Sequence, residues 1–378
     1  MAEWHNNKRW NPFNSYKLLA HVEEWRNIRR EGIVPAPVLV TVDPSNVCNL
    51  NCLWCNAGYI RSKSATSMSK TLLMKIADYL PVWGNRKPGV RAVCIAGGGE
   101  PLVNKDVGDF IERLVSNGIE VGVVTNGTLI DRFIEPLSKC VWVGVSVDAG
   151  FGRTYENLKG KDLFGKVVDN VRRLVQYSKE NNTTLGLDRP SYGVSYKYLL
   201  YKDNIIEMKI AAQLAKEMGC KNIHFRPAGT PWDKLGSDDI VFNEEDIQMF
   251  NNRISECMKL DDDTFGVYGI THKFNSQFEK FNDFSKCYAV FMTAVFQPGS
   301  TSDTLNLGLC CDRRGDKKLE LLCDCPDPNE IYSMWGNYYH WSIHDLIRIS
   351  ECPRCTYQPH NEIYENVIMK DSMTHKFI

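Results

Sequence analysis

The segment Cys48-Asn49-Leu50-Asn51-Cys52-Leu53-Trp54-Cys55 constrains this chain more than any other. A C-x3-C-x2-C spacing lets three thiols converge on one centre if the backbone curls into a loop. Thiolates are soft ligands that suit iron–sulfur clusters or zinc. Three ligands rather than four leave one iron of a four-iron cluster without a protein thiolate, and chemistry at a metal requires such an open position. The run just before, Val38-Leu39-Val40-Thr41-Val42, is apolar and has the length of a buried strand. The cysteines therefore lie in a loop beyond a strand's C-terminal end, where parallel α/β folds place their chemistry. Zinc loops compete for the same motif, so the weight falls on the rest of the chain.

From residue 38 to about 260 the pattern alternates. Strand-like runs fall at 38–43, 91–96, 119–124, 141–147, 193–200 and 222–226, with helical periodicity at 69–82, 106–117, 129–138, 163–180, 204–219 and 244–259. Alternating elements imply parallel strands joined by right-handed crossovers. Six such units are fewer than the eight of a closed barrel. Ahead of them, Leu18, Leu19, Val22, Trp25 and Ile28 predict a helix stopped by Gly32 and Pro35, packed on the outside or bottom of the barrel.

The strand ends carry the candidate chemistry. Ala96-Gly97-Gly98-Gly99-Glu100-Pro101 follows the second strand; its glycines allow close backbone approach, and its acid suits an ammonium group. Thr125-Asn126-Gly127 reads first as a turn and helix cap. Ser146 and Asp148 share a face at the end of the fourth strand, opposite Val147, although both residue types also end strands for turn chemistry alone. The polar segment 181–192 is a loop and a candidate for substrate contact. Asn204 stands at a helix start and could be an N-cap. Asn222, His224 and Arg226 share one face of the sixth strand, where the Arg226 fork suits a carboxylate.

The C-x3-C-x2-C loop, with Trp54 before its third cysteine, resembles the cluster-binding signature of the radical S-adenosylmethionine (radical SAM) superfamily. The six βα units resemble its partial barrels, and Gly98-Gly99-Glu100 its GGE motif. The resemblance implies a [4Fe-4S] cluster with an open iron on Cys48, Cys52 and Cys55. It implies a SAM site involving Trp54, Gly98, Gly99, Glu100, Ser146, Asp148 and Asn204. Arg226 is a candidate for the SAM carboxylate or for the substrate. By the family's mechanism the cluster reduces SAM to methionine and a 5′-deoxyadenosyl radical, which abstracts a substrate hydrogen.

Fourteen cysteines are many for a chain with no signal-peptide core at its N-terminus. Such a chain is expected in the cytoplasm, where disulfides are disfavoured and clustered cysteines suggest metals. Cys94, Cys140, Cys220 and Cys257 stand alone in apolar or helical patterns and read as small buried hydrophobes. The others fall at 48–55 and 287–355. Cys287 opens a hairpin-like segment ending in Cys310-Cys311, followed later by Cys352-Pro353-Arg354-Cys355; four thiols complete a closed cluster or a structural zinc. Neighbours on a strand point to opposite faces, so only one of Cys310 and Cys311 ligates this centre. Order and gaps resemble the twitch domain, the shorter relative of the SPASM domain. That resemblance implies one auxiliary [4Fe-4S] cluster on Cys287, Cys310, Cys352 and Cys355, with Cys323 and Cys325 as surplus.

The expected organisation is a helical extension (1–37), a partial (β/α)6 TIM-like barrel (38–260), a linker (261–286), a twitch-like cluster domain (287–355) and a tail (356–378). Phe274, Phe278, Phe281 and Phe284 recur at three- to four-residue spacing in the linker and predict core packing. A net charge of −1 gives no sign of nucleic-acid binding, and no apolar run is long enough to span a membrane. The resemblance implies a radical SAM oxidoreductase that uses its auxiliary cluster for oxidation or anchoring and draws electrons from a flavodoxin or ferredoxin. The substrate expected is a small polar metabolite, since some 40 residues before the first strand are short for a peptide-recognition domain. The alternative is maturation of a ribosomally made peptide. A non-catalytic iron–sulfur or zinc protein would have no use for the Gly97–Pro101 and Ser146–Gly150 motifs.

Overall fold

The computed structural model describes residues 15–86, 88–189, 191–229, 242–270, 284–352 and 355–370. Phe274, Phe278, Phe281, Pro353 and Arg354 lie outside them, as does half of the expected linker.

The six expected strands form: β1 (Leu39–Val42), β2 (Ala92–Ile95), β3 (Glu120–Thr125), β4 (Trp142–Ser146), β5 (Gly193–Leu200) and β6 (Asn222–Pro227). They pair in parallel in chain order. The sheet continues past both expected limits. β7 (Gly266–Gly269) adds parallel to β6 inside the stretch expected as a linker. At the other edge, β8 (Thr293–Pro298) pairs parallel with β1, and β9 (Leu305–Gly308) and β10 (Glu320–Cys325) follow as an antiparallel meander. One ten-stranded sheet results, ordered β10-β9-β8-β1-β2-β3-β4-β5-β6-β7. The C-terminal region therefore grows out of the barrel's own sheet.

Alternation along each strand divides its residues between two faces. Val40, Val42, Val93, Ile95, Val121, Val123, Val143, Val145, Ile223 and Phe225 are buried. They join one core with Leu73, Ile76, Phe110, Ile111, Leu114, Val171, Leu174, Ala211 and Ala215. These come from α3 (Lys70–Tyr79), α4 (Val107–Ser116), α7 (Phe164–Glu180) and α8 (Met208–Glu217). The helices start and stop where the sequence signals: Ser69 caps α3 through Leu72 N–H, and Gly160, in the left-handed region at φ 74°, ends α6 (Gly152–Lys159).

The N-terminal helix α1 (Val22–Glu31) buries Trp25 and Ile28. Its Trp25 packs on Tyr364 at 5.5 Å, just beyond the C-terminal helix Gln358–Ile363, so the two ends of the described chain meet. Among the described residues no helix is long and apolar enough to cross a membrane.

Candidate functional site

Beyond β1 the cysteine loop is held by side chains and backbone from four directions. Ser45 O accepts from Gly99 N–H at 3.0 Å and Val47 O from Glu100 N–H at 2.8 Å. A Cβ on Gly99 would lie 2.1 Å from Val47 O, so only glycine permits this approach. Asn49 donates to Thr128 Oγ1 (2.7 Å) and accepts from Asn126 Nδ2 (2.8 Å). Arg61 donates to Leu50 O (2.9 Å), and Asn51 and Leu53 N–H donate to Lys159 O and Leu158 O at the end of α6 (3.2 and 2.9 Å). Cys48, Cys52 and Cys55 are half-buried free thiols. Burial pushes the Cys48 and Cys52 thiols up, and the neighbouring thiols push in the same direction. Trp54 stacks on Tyr201, ring centroids 6.4 Å apart.

Glu100 is 3% exposed. It accepts from Leu102 N–H (3.1 Å), Thr125 Oγ1 (2.6 Å) and Asn126 N–H (2.7 Å). Burial pushes its pKa up to about 7 against these donors. The Thr125-Asn126 turn is therefore a support for both Glu100 and the cysteine loop. Gly98 lies against Asn46, whose Oδ1 would be 2.6 Å from a Cβ there.

At the end of β4, Ser146 is half-buried and Asp148 is buried in the left-handed region at φ 62°. Asp148 Oδ1 accepts from Leu199 N–H (2.7 Å), and Oδ2 pairs with Lys159 Nζ. Sequence reasoning did not reach Lys159: no helix was expected over residues 152–159, and nothing local marks this lysine as buried. Burial works against the Lys159 charge, but Asp148 outweighs it and holds the ammonium above its ordinary value. Asn204 is fully buried and donates to Asp148 O and Leu199 O, both at 2.9 Å, while its Oδ1 accepts from Tyr201 N–H (2.8 Å). Both its donors are thus spent on backbone, which makes Asn204 a support for the Asp148 turn rather than a direct ligand contact.

The concave face of the sheet carries a second set of charges. Cys94 on β2 feels Lys197 on β5. Lys197 Nζ lies 5.4 Å from the Trp142 ring centroid. Gly144 makes room for it, since a Cβ there would sit 2.7 Å from Lys197 Cε. Burial, then the Arg226 guanidinium, pushes Lys197 down to about 8. Arg226 is exposed at the end of β6. Asp43, just past β1, is fully buried against Arg314 (2.6 Å) from the C-terminal region. The segment 181–192 sits elsewhere: it leads into the start of β5, and Tyr192 reaches Glu120 at the start of β3 (3.4 Å). That is the end of the sheet opposite the cysteine loop, so its described residues are not placed for substrate contact.

In the C-terminal region Cys287, Cys310, Cys352 and Cys355 line one cavity, walled by Ala289, Val290, Leu309, Leu319, Ile347 and Tyr357 and edged by Asp312 and Arg313. Cys311 turns away from it, its Sγ 2.9 Å from Tyr357 Oη. Burial pushes Cys287 up to about 11 and raises Cys310, Cys352 and Cys355. Cys323 is exposed and donates to Glu320 (2.8 Å), and Cys325 is buried and donates to Asp327 O (3.0 Å); neither lines the cavity. As they stand, no three His, Cys, Asp or Glu side chains among the described residues are close enough to hold a metal ion.

Residues 42–189 match the radical SAM superfamily. The chain carries a radical SAM domain. That domain begins with β1's last residue, includes the cysteine loop, and extends into the segment before β5. Curated relatives include the AdoMet-dependent heme synthase of Methanosarcina barkeri, 27% identical over 195 residues, or 50% of each protein. Another is the tungsten-containing aldehyde ferredoxin oxidoreductase cofactor-modifying protein of Pyrococcus furiosus, 26% identical over 175 residues and 46% of each. The chain thus spans about half the length of these relatives. In fold, it is similar to Streptococcus suis SuiB bound to S-adenosylmethionine: TM-score 0.60 at 14% identity, covering 86% of this chain and 72% of that one. It is also similar to anSMEcpe with bound AdoMet: TM-score 0.58 at 18% identity, covering 86% and 89%. Structures of SuiB bound to precursor peptide SuiA and of anSMEcpe with a Kp18Cys peptide match as well, with TM-scores of 0.59 and 0.58. These likenesses cover the radical SAM domain and the C-terminal strands together.

Proposed function

We propose that the chain is an enzyme that binds SAM and a [4Fe-4S] cluster at the β1 loop and a second, auxiliary [4Fe-4S] cluster in the C-terminal cavity. The observation that carries this reading is the separation of the thiols into a three-cysteine loop and a four-cysteine cavity. Bound together at the loop, cluster and SAM supply one-electron reductive cleavage to methionine and a 5′-deoxyadenosyl radical that abstracts a substrate hydrogen. Cys48, Cys52 and Cys55 hold that cluster, and Trp54 borders it. Glu100 receives the SAM ammonium, with Gly98 and Gly99 giving it backbone access. Ser146 and the remaining lone pairs of Asp148 meet the ribose. Arg226 faces the SAM carboxylate or an acidic group of the substrate. Four thiols saturate the auxiliary centre, which favours exchange of electrons, as in oxidation, over anchoring of substrate.

The substrate class we favour is a small polar metabolite, because Lys197 and Arg226, on the neighbouring strands β5 and β6, are cationic groups close enough to act on each other. Modification of a peptide is a second reading, favoured by the fold neighbours solved with peptides. The electron donor in either case is a flavodoxin or ferredoxin. The test replaces Cys48, Cys52 and Cys55 together by Ala after anaerobic reconstitution. Deoxyadenosine formation should vanish while the C-terminal cluster's absorbance and about four of eight irons remain. Cleavage surviving in that variant would overturn the assignment of the two centres. Deuterium appearing in deoxyadenosine from the small-molecule or the peptide fraction of cells grown in heavy water separates the two substrate classes.

A further inference from the structure

The cavity holds more than its thiols. Asn361 is 1% exposed, and its Nδ2 points at two of the four cysteines, 3.9 Å from Cys287 Sγ and 4.0 Å from Cys355 Sγ. Its Oδ1 accepts from Ala289 N–H at 2.9 Å, which fixes the amide's orientation with the nitrogen toward the sulfurs. On the other side, Arg313 Nη1 lies 3.6 Å from Cys352 Sγ. The guanidinium is itself held by Asp316 and by Glu351 (3.6 Å). Three of the four thiols therefore receive a side-chain N–H, from two residues that are positioned by other contacts.

Resting on the reading that this cavity holds an iron–sulfur cluster, we propose that Asn361 and Arg313 set the reduction potential of that auxiliary centre. N–H donors and positive charge near the sulfurs stabilise the form that carries one more electron, so they raise the potential. The cavity's other walls are mainly apolar, and in such surroundings each donor acts with little screening. The two residues are positioning residues: they touch the ligating sulfurs and neither substrate nor iron. Their spacing differs from that of a scaffold contact, since each donor is aimed at sulfur while its own anchor lies elsewhere.

The experiment isolates the auxiliary centre in the full-length chain with Cys48, Cys52 and Cys55 replaced by Ala, and titrates its reduction by electron paramagnetic resonance. Asn361→Leu and Arg313→Met should each lower the potential, shifting the oxidised-to-reduced ratio at a fixed poise up to tenfold, about 59 mV for a one-electron couple. Arg313→Lys, which keeps charge and donors, should recover most of the shift. Iron content near four per chain in these variants, with an unchanged potential, would overturn the proposal while leaving the cluster in place. Loss of the cluster from every variant at both positions would make the two residues wall elements and would equally overturn it. Absence of any cluster in the Cys-to-Ala parent would overturn the underlying reading instead, so the two failures are distinct.

Discussion

Glu100 sits out of reach of solvent, and its hydrogen-bond donors among the described residues are a hydroxyl and two backbone N–H groups. With its pKa near 7, the folded chain keeps a proton that the unfolded chain has already released. The native state binds more protons, so stability falls as pH rises from the ordinary carboxylate range through about 7. Glu100→Gln should flatten that fall in thermal melts of the cluster-free protein from pH 5 to 8. The same variant should weaken SAM binding by roughly ten- to a hundredfold in calorimetry, the scale of one lost charge-assisted bond of about 1.5–3 kcal/mol, with iron content unchanged. The Asp148–Lys159 pair makes a different case, since both groups are buried. Lys159→Met strands a carboxylate and should cost about 3–5 kcal/mol in chemical denaturation. Adding Asp148→Asn should restore part of that loss.

Among the elements, the Gly97–Glu100 turn does two jobs at once. It carries the acid, and its backbone clamps the start of the cysteine loop through Ser45 and Val47. Gly99→Ala puts a methyl group against Val47 O, so the loop must move. Iron uptake at the loop should drop while the C-terminal centre still fills, as read by Mössbauer spectra of the reconstituted protein. The βα alternation, its six strands and its six expected helices were legible because each has a local period, whereas the short helix Gly152–Lys159 was not expected. β7 was not, since Gly266-Val267-Tyr268-Gly269 is too short to show one. The parallel pairing of β8 with β1 joins segments remote in sequence, and no local pattern encodes it. Within the site, motif residues were legible but their partners were not. Alternation limited the ligand to one of Cys310 and Cys311, and the family resemblance picked Cys310; the strand in fact ends at Gly308, and of the two cysteines Cys310 is the one that lines the cavity. Lys159 and Asn361 act through tertiary contacts alone.

At the scale of the molecule, β1 lies between β2 and β8, so the strand that launches the cysteine loop is flanked by one near and one distant segment. Asp43–Arg314 and the Trp335 Nε1 bond to Pro35 O (2.7 Å) close the same gap. A chain ending at residue 286 would leave β1 an edge with unpaired backbone groups. It should be insoluble or aggregate on concentration in light scattering, whereas the full chain should not. The geometry also orders events in time. During synthesis the three cysteines are made ahead of β2 to β7, but the strand that seals their flank follows only after all of these. Until then the loop's base stands open on one side; once β8 docks, the way in from that edge is shut.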